Sequence, residues 1–478
     1  MQSIESLSIA RVACILMLAA GLSGWAQTSQ DAQPGCSGPP QLFPLLTYDE
    51  DSRYLSNPDC RTEVWDRLKY IPLDGENPNY YLSFGAAIRD RSEYFSNPNW
   101  AAKPPGSAYL MQRYYLHLDL HLSDWFRFFS ELGSSLETGR TGGPRANIDE
   151  SKLYVHQGFV DIGLLRDGKN RVTLRAGRQE LAFGSLVSTR DGRNIRTSFD
   201  GFRLTASTGD WRIDTFVVKE SAFNRDIFDS WLDHTTSFWG VYAVHPLGFL
   251  PGGHADLYYM GLDNKKDTYV AGSGREQRET FGTRLWGSGE SVDYNDEFVI
   301  QRGRFGSGDI RAWAVSTQTG YRFDSVVMQP RFAIKADAYS GNQNPTGHTL
   351  GTFNALNEVG PYFSYAELFG RRNLIVVQPS VRLNLTKNVS LSPNTAFYWR
   401  ESTNDGLYSI ASGTVVVPGQ KSKAEYVGSH AAVQLKWDVN RHTSFFTEYL
   451  HFFPGEFLRQ STPGRNINYV TEWVEFRY

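Results

Sequence analysis

The stretch YLHLDLHL, residues 115–122, alternates strictly between side chains of two kinds. Leucine occupies every second position from 116 to 122, and Tyr, His and Asp occupy the positions between. Successive side chains of a β-strand point to opposite faces, so the stretch predicts a strand with one apolar and one hydrated face.

The same alternation recurs along the chain and predicts many more strands. It is clearest in LSFGAAIR (82–89), RFAIKADA (331–338) and SVRLNLT (380–386). A transmembrane strand needs only about 9–11 residues, of which every second one is apolar, so a chain of such strands has a hydrophilic average composition. The mean hydropathy of -0.41, combined with 14% aromatic residues, agrees with this kind of chain. The pattern therefore favours an antiparallel membrane β-barrel over a bundle of membrane helices.

Connections between the predicted strands largely alternate in length. Tight connections occur at 123–124, 208–210, 386–388 and 438–440. Long polar connections occur at 94–108, 139–150, 182–198, 221–236, 264–276, 340–370, 401–422 and 453–465. An outer-membrane barrel has short periplasmic turns and long outer loops, whereas a two-sheet sandwich has no reason to alternate in this way. We count about eighteen strands, an even number that leaves both termini in the periplasm, although 277–320 and 359–378 allow other divisions.

Both ends of the chain indicate export to the outer membrane of a Gram-negative cell. The apolar run 12–22 follows Arg11 and leads to Gly24-Trp25-Ala26, which predicts a signal peptide cleaved after Ala26. A retained anchor is disfavoured because this run is shorter than the ~20 residues that a spanning helix needs. At the other end, YVTEWVEFRY (469–478) alternates and finishes on an aromatic residue, which resembles the signal read by the barrel-assembly machinery. Outer-membrane lipid and that machinery are therefore the expected partners.

We expect three segments, namely a signal peptide over 1–26, a periplasmic N-terminal extension over 27–79 and a barrel over 80–478. The extension contains Cys36 and Cys60, which form an even pair in an oxidising compartment. A structural disulfide is favoured over a metal or catalytic role, because no His and no further Cys lies between them. The net charge of -3 is unchanged by removal of the signal peptide, and nothing in the composition indicates nucleic-acid binding.

Three stretches together resemble the alginate-export family of outer-membrane barrels. WDRLKYIPLDGENPNYYLSFGAAIRDRSEYF (65–95) is similar to the opening of the family's barrel, and the C-terminal strand is compatible with it. LRAGRQELAFGSLVSTRDGRNIRTSFDGFRL (174–204) resembles the most recognisable family motif, in which GRQEL-x-(F/Y)-G leads through an Arg-rich loop to SFDG. The resemblance implies a monomeric barrel of about eighteen strands that passes an anionic polysaccharide outward through a basic lumen.

The selectivity of a pore is set by the side chains that face its lumen. If the polar phase of the strands faces inward, the basic residues of the wall are Arg89, Arg91, Arg113, Arg127, Arg175, Arg203, Arg284, Arg331, Lys335, Arg382 and Lys436. The acidic residues of that phase are Glu93, Asp119, Glu131, Glu137, Asp337 and Glu475. Positive charge then exceeds negative charge in the lumen, which favours anions. The alternative is that these arginines only pair with carboxylates and stiffen the wall.

Three further arginines lie in one loop between the strands that carry Arg175 and Arg203. They are Arg190, Arg193 and Arg196. If the loop folds inward, it concentrates these side chains at a constriction, where a planar guanidinium can bind a carboxylate through two hydrogen bonds. Arg178 and Asp200 belong to the family-like motif, but the strand phase places Arg178 on the lipid side, so their role stays open.

Two classes of function follow from these observations. The first is export of an acidic exopolysaccharide, which also requires a periplasmic export partner, and the second is uptake of small solutes by a general or anion-selective porin. The sequence contains no G-x-S-x-G, H-E-x-x-H or phosphate-binding glycine loop. We therefore predict that the protein is not an enzyme and binds neither a cofactor nor a metal.

Overall fold

The computed structural model of this protein describes residues 36, 38, 42–75, 77–102, 106–410 and 413–478. The predicted signal peptide over 1–26 lies outside these residues. Within them, eighteen long strands form one antiparallel sheet that closes on itself. In chain order the strands are β1 (Tyr81–Phe95), β2 (Ala108–Ser123), β3 (Phe126–Thr138), β4 (Ser151–Asp167), β5 (Asn170–Gln179), β6 (Phe199–Thr208), β7 (Trp211–Phe223), β8 (Thr236–Leu247), β9 (Gly253–Tyr269), β10 (Gly272–Ser288), β11 (Val292–Phe305), β12 (Gly308–Arg322), β13 (Arg331–Tyr339), β14 (Leu374–Asn384), β15 (Val389–Trp399), β16 (Tyr426–Asp438), β17 (Thr443–Pro454) and β18 (Ile467–Arg477).

Closure of the sheet comes from pairing between the first and the last strand. β1 pairs with β18 from Ala87↔Arg477 to Phe95↔Tyr469, and each of the other strands pairs with its neighbours along the chain. A closed barrel leaves no row of unpaired backbone groups, which is the condition for crossing lipid with strands. The predicted fold class, an all-β antiparallel barrel of about eighteen strands, is confirmed.

The side-chain phase of the strands separates the two faces of the wall. Leu116 on β2 is 51% exposed, whereas its neighbours Tyr115 and His117 are buried inside the barrel. Phe202 on β6 and Leu257 on β9 are exposed in the same way. Large exposed apolar side chains on one phase form the lipid-facing surface that such a barrel needs.

The connections form two sets at the two ends of the barrel. At one end all turns are short, from two residues at 168–169 to eight residues at 323–330. At the other end the longest connection covers 340–373. The alternation of short and long connections predicts that this end faces the cell exterior. The predicted long loop at 264–276 is wrong, because β9 and β10 continue through it and turn at 270–271. Above the bilayer both faces of a strand are hydrated, so the sequence loses its apolar phase there although the strand continues.

Two of the outer connections, 180–198 and 340–373, fold back into the barrel. Phe183 and Phe353 belong to these loops and are buried in the same hydrophobic cluster as Phe216 and Tyr242 of the inner wall. The loops are also joined to each other, because Arg371 Nη1 donates a hydrogen bond to Ser185 Oγ at 3.0 Å. The main hydrophobic core of the molecule therefore lies inside the barrel.

The helices in the described part of the chain are short, and none of them is long and apolar enough to cross a membrane. Helix α1 (Asp66–Lys69) lies at the short-turn end, and helix α2 (Glu456–Ser461) follows β17 at the opposite end. Next to α1, Trp65 stacks on Tyr478 with ring centroids 4.5 Å apart.

Residues 42–75 begin at the short-turn end, and their tip enters the barrel. Cys36 and Cys60 are joined by a disulfide, with Cα atoms 5.4 Å apart. Between them, Tyr48 is only 3% exposed and packs with Phe129 of β3 and Phe159 of β4. The sequence predicts a periplasmic N-terminal extension over 27–79. Nothing in its pattern indicates that part of this extension, around Tyr48, lies inside the lumen.

Candidate functional site: the luminal constriction

The loop 180–198 is anchored to the inner wall through its apolar half. Phe183 stacks on Phe216 of β7 and Tyr242 of β8, with ring centroids 5.2 Å away in each case. Phe183 and Val187 exchange two backbone hydrogen bonds of 2.9 and 3.2 Å, which close this half into a turn. Burial of the apolar half projects the polar half, residues 189–196, across the lumen towards β1 and β2.

Asp191, at the tip of the polar half, is surrounded by three guanidinium groups. Its carboxylate lies 2.8 Å from Arg113 Nη2 on β2, 3.4 Å from Arg89 Nη1 on β1 and 3.7 Å from Arg196 Nε of the loop itself. The three arginine side chains are at most 3% exposed, whereas the Asp191 side chain is 33% exposed. We call these four residues the Asp191 cluster. The Asp191 side chain is thus the most exposed part of this cluster, although its Oδ1 atom is buried.

The wall arginines also bind the backbone of the loop. Arg91 Nη1 donates to the carbonyl oxygen of Gly192 at 2.6 Å, and Arg89 Nη2 donates to that of Arg193 at 2.9 Å. Hydrogen bonds to a charged donor contribute about 1.5–3 kcal/mol each. The position of the loop in the lumen is therefore determined by side chains of the wall that faces it.

Arg175 and Arg203 do not join the Asp191 cluster. Arg175 Nε pairs with Asp161 at 2.7 Å, and Arg203 Nη2 pairs with Asp214 at 2.8 Å. Both arginines also contact Tyr48 of the N-terminal segment. The structure therefore does not place Arg175, Arg190, Arg193, Arg196 and Arg203 in one ring around a pore.

The remaining predicted loop arginines lie near the 340–373 loop or in the interior. Arg190 has a positive φ of 52° and donates from Nη2 to the carbonyl oxygen of Leu356 at 3.5 Å. Arg193 is buried, and burial in the lumen beside the positive charge of Arg190 lowers the pKa of its guanidinium to about 9. The Arg196 guanidinium lies 3.7 Å from the Asp191 carboxylate.

The predicted cations Arg331, Lys335 and Arg382 lie on β13 and β14. Arg331 Nε of β13 is 2.7 Å from Asp293, and Lys335 Nζ donates to the carbonyl oxygen of Tyr362 at 2.8 Å. Arg382 of β14 is opposite Arg331 in the strand ladder, and its side chain is exposed. Arg331 and Arg382 are thus neighbours across the ladder, whereas Lys335 contacts the 340–373 loop.

Carboxylates offset much of the positive charge that the strand phase predicts for the lumen. Arg127 pairs with Asp119 at 2.6 Å, and Arg284 pairs with Asp256 at 3.1 Å. Sequence reasoning missed Asp214, because the phase of the stretch 211–219 is ambiguous, and Asp256, because the alternation identifies no strand around it. It missed Asp191, because loop residues have no phase. The lumen wall is consequently a network of ion pairs with local basic regions.

Arg178 and Asp200 lie on the outer face of the wall. They are direct partners in the β5–β6 ladder, and two parallel hydrogen bonds of 3.0 Å join the guanidinium to the carboxylate. The adjacent ladder pair is Gly177↔Gly201, and both glycines have the positive φ that disfavours other residues. A Cβ atom on Gly177 would lie 2.3 Å from the carbonyl oxygen of Gly158. The family-like motif therefore encodes a tight strand pairing in addition to the luminal loop.

Within the described ranges, no group of three or more His, Cys, Asp or Glu side chains is placed to hold a metal ion.

A protein family described as alginate export matches residues 80–472 of the chain.

Among solved structures, a BenF-like porin from Pseudomonas fluorescens Pf-5 is similar, with a TM-score of 0.56, 10% identity and coverage of 83% of this chain and 98% of that one. Pseudomonas aeruginosa OccK2 (OpdF) in complex with glucuronate gives a TM-score of 0.54 with 11% identity, covering 83% and 97% of the two chains. Pseudomonas aeruginosa OpdK with vanillate gives 0.53 with 10% identity, covering 83% and 98%. No curated relative matches the chain in sequence. At these identities the structural likeness establishes the barrel fold alone.

Proposed function

This chain belongs to the alginate export family, and on that premise we propose that it is an outer-membrane channel through which an acidic exopolysaccharide leaves a Gram-negative cell. Its family and its structural neighbours are channel and porin proteins rather than enzymes. The cargo that we propose is a polymer of carboxylated sugars. A monomeric barrel working with a periplasmic export partner is part of the same proposal.

The observation that carries the proposal is the Asp191 cluster. Three buried guanidinium groups surround one carboxylate inside the lumen, and the side chain that carries this carboxylate is 33% exposed. Arginine binds carboxylates with a specific planar geometry, and it does so more strongly where water is largely excluded. The carboxylate of a uronate has the same charge and planar geometry as the carboxylate of Asp191. It can therefore replace Asp191 beside Arg89 and Arg113 as the polymer passes.

The experiment is a measurement of ion selectivity in planar bilayers. The reversal potential in a KCl gradient is expected to have the sign of chloride selectivity. A polyuronate added to the periplasmic side is expected to block this current, while a neutral oligosaccharide of equal length is not. A channel that prefers potassium, or one that both polymers block equally, would contradict an acidic polymer as cargo.

A second function, uptake of small carboxylates, is favoured by the packing of the lumen. The loops 180–198 and 340–373 fill much of the interior and leave less room for a polymer than an empty barrel would. Two of the similar porins are described with glucuronate and with vanillate, which are small carboxylates. Flux of glucuronate and of uronate polymers into liposomes that contain the protein separates the two functions. An uptake channel passes glucuronate and excludes the polymers, whereas an exporter passes the polymers as well.

A further inference from the structure

We infer that residues 45–51, which we call the plug tip, inhibit the channel by occupying the lumen and must withdraw before cargo can pass. The inference rests on the proposed function, because it assumes that cargo uses this lumen. The plug tip lies within the stretch of chain that the Cys36–Cys60 disulfide closes. It approaches the constriction from the short-turn end of the barrel.

Tyr48 occupies a complementary pocket of the inner wall. Its ring meets Phe159 edge-on at 5.5 Å, and the Arg175 guanidinium lies 4.0 Å from the ring centroid. Its hydroxyl group donates to the carbonyl oxygen of Glu180 at 2.9 Å and accepts from Arg203 Nη1 at 3.1 Å. The Tyr48 ring therefore has aromatic and cation–π contacts, and its hydroxyl group both donates and accepts a hydrogen bond. Together these contacts form a specific binding site for this side chain.

The plug tip is also joined to the constriction loop. Arg196 Nη2 donates to the carbonyl oxygen of Leu45 at 2.6 Å, and Arg196 is a member of the Asp191 cluster. On the wall side, Thr47 Oγ1 donates to Glu131 Oε2 at 2.8 Å. The guanidinium groups of Arg175, Arg196 and Arg203 thus hold the plug tip in this structure. Cargo carboxylates that reach the lumen compete for the same groups.

The contacts of the plug tip allow it to leave without dismantling the barrel. Only Thr47 and Tyr48 of its seven residues are buried, and the strand pairing of the barrel does not include any of them. The base of the extension is held separately at the rim, where Arg441 Nε pairs with Glu63 at 2.8 Å and Trp65 stacks on Tyr478. The tip can therefore move while the base stays in place.

The disulfide favours the seated tip. A covalent link between Cys36 and Cys60 restricts the conformations open to this part of the chain once it leaves the lumen. Withdrawal then gains less conformational entropy than it would in an open chain. Loss of the disulfide is therefore expected to increase the fraction of time that the tip spends outside its seat.

The test is the open probability of full-length variants in planar bilayers. Tyr48→Ala removes the seated ring and both of its hydrogen bonds, and the open fraction is expected to rise on the order of tenfold. Tyr54→Ala is the matched control, because Tyr54 lies in the same disulfide-closed stretch but at the rim, and it should leave the open fraction unchanged. A heat-modifiable band on unboiled gels verifies that each barrel has folded.

A second variant keeps every luminal side chain in place. Replacing Cys36 and Cys60 together by Ser should leave the folded barrel intact and raise the open fraction less than Tyr48→Ala does. If Tyr48→Ala and the double serine variant both conduct as the native protein does, the plug is refuted, whatever the ion selectivity. If the open fraction rises but potassium is the preferred ion, the plug stands and the acidic cargo is refuted.

Discussion

Asp191→Asn is the substitution that tests most directly how the constriction selects ions. Asparagine keeps the size of the side chain and can still accept the hydrogen bond from Arg89, but it removes the single negative charge of the cluster. Arg89 then loses its carboxylate partner, whereas Arg196 keeps Glu180 at 2.7 Å and Arg113 keeps Glu475 at 3.6 Å. We expect the channel to become more selective for anions.

The size of the effect follows from the distances involved. A monovalent ion passing about 7 Å from the carboxylate interacts with it by roughly 0.6 kcal/mol in water, and by roughly 0.2 kcal/mol after screening at physiological salt. The interaction has opposite signs for anions and cations, so both changes add in the permeability ratio. The anion-to-cation ratio is therefore expected to rise by roughly two- to eightfold.

Reversal potentials in a KCl gradient measure this ratio. The measurement is made in the native background and again with Tyr48→Ala, so that current through a plugged channel does not limit it. Asp263→Asn is the control, because Asp263 also pairs with an arginine, Arg275, but the pair lies on the outer face of β9 and β10. An unchanged ratio, or a shift towards cations, would show that ions do not pass the Asp191 cluster.

Two further predictions concern the barrel itself. Cysteines placed in 401–422 are expected to react with a membrane-impermeant thiol reagent on intact cells. Cysteines at 438–440 are expected to react only after the outer membrane is opened. The reverse pattern would show that the barrel has the opposite orientation. Arg178→Met leaves the Asp200 carboxylate without its bidentate partner on the outer face. We expect this to destabilise the barrel by about 1–3 kcal/mol, so that the heat-modifiable gel band shifts at a lower temperature. The reversal potential should stay the same. A selectivity change in that variant would show that Arg178 acts on the lumen.

Much of the barrel could be predicted from local sequence, because the period of a β-strand is a local property. The alternation at 115–122 identified the lipid-facing leucines, and the same rule placed Arg178 on the outer face, where it is found. The short turns were equally readable, since few residue types suit them. The rule failed at 264–276, where β9 and β10 extend into water and neither face needs to be apolar.

The candidate site could be predicted only in part. The strand phase brought Arg89 and Arg113 to the lumen wall, and the family-like motif pointed to the loop that they contact. Neither the strand phase nor the motif indicated Asp191 as the partner of these arginines, because an irregular loop has no repeat from which the direction of a side chain can be read. Nor did they separate Arg175 and Arg203 from Arg196, since their distances depend on how far the loop reaches across the barrel.

By itself, the sequence determined the class of membrane protein, the approximate number of strands and the face on which most wall residues lie, because a two-residue period and a closed ladder leave few alternatives. Only the tertiary structure decided what fills the barrel. Arg89 and Asp191 are 102 positions apart, and Leu45 and Arg196 are 151 positions apart. Contacts of this kind depend on the closed wall, which brings distant segments together, and no local pattern records which of them meet.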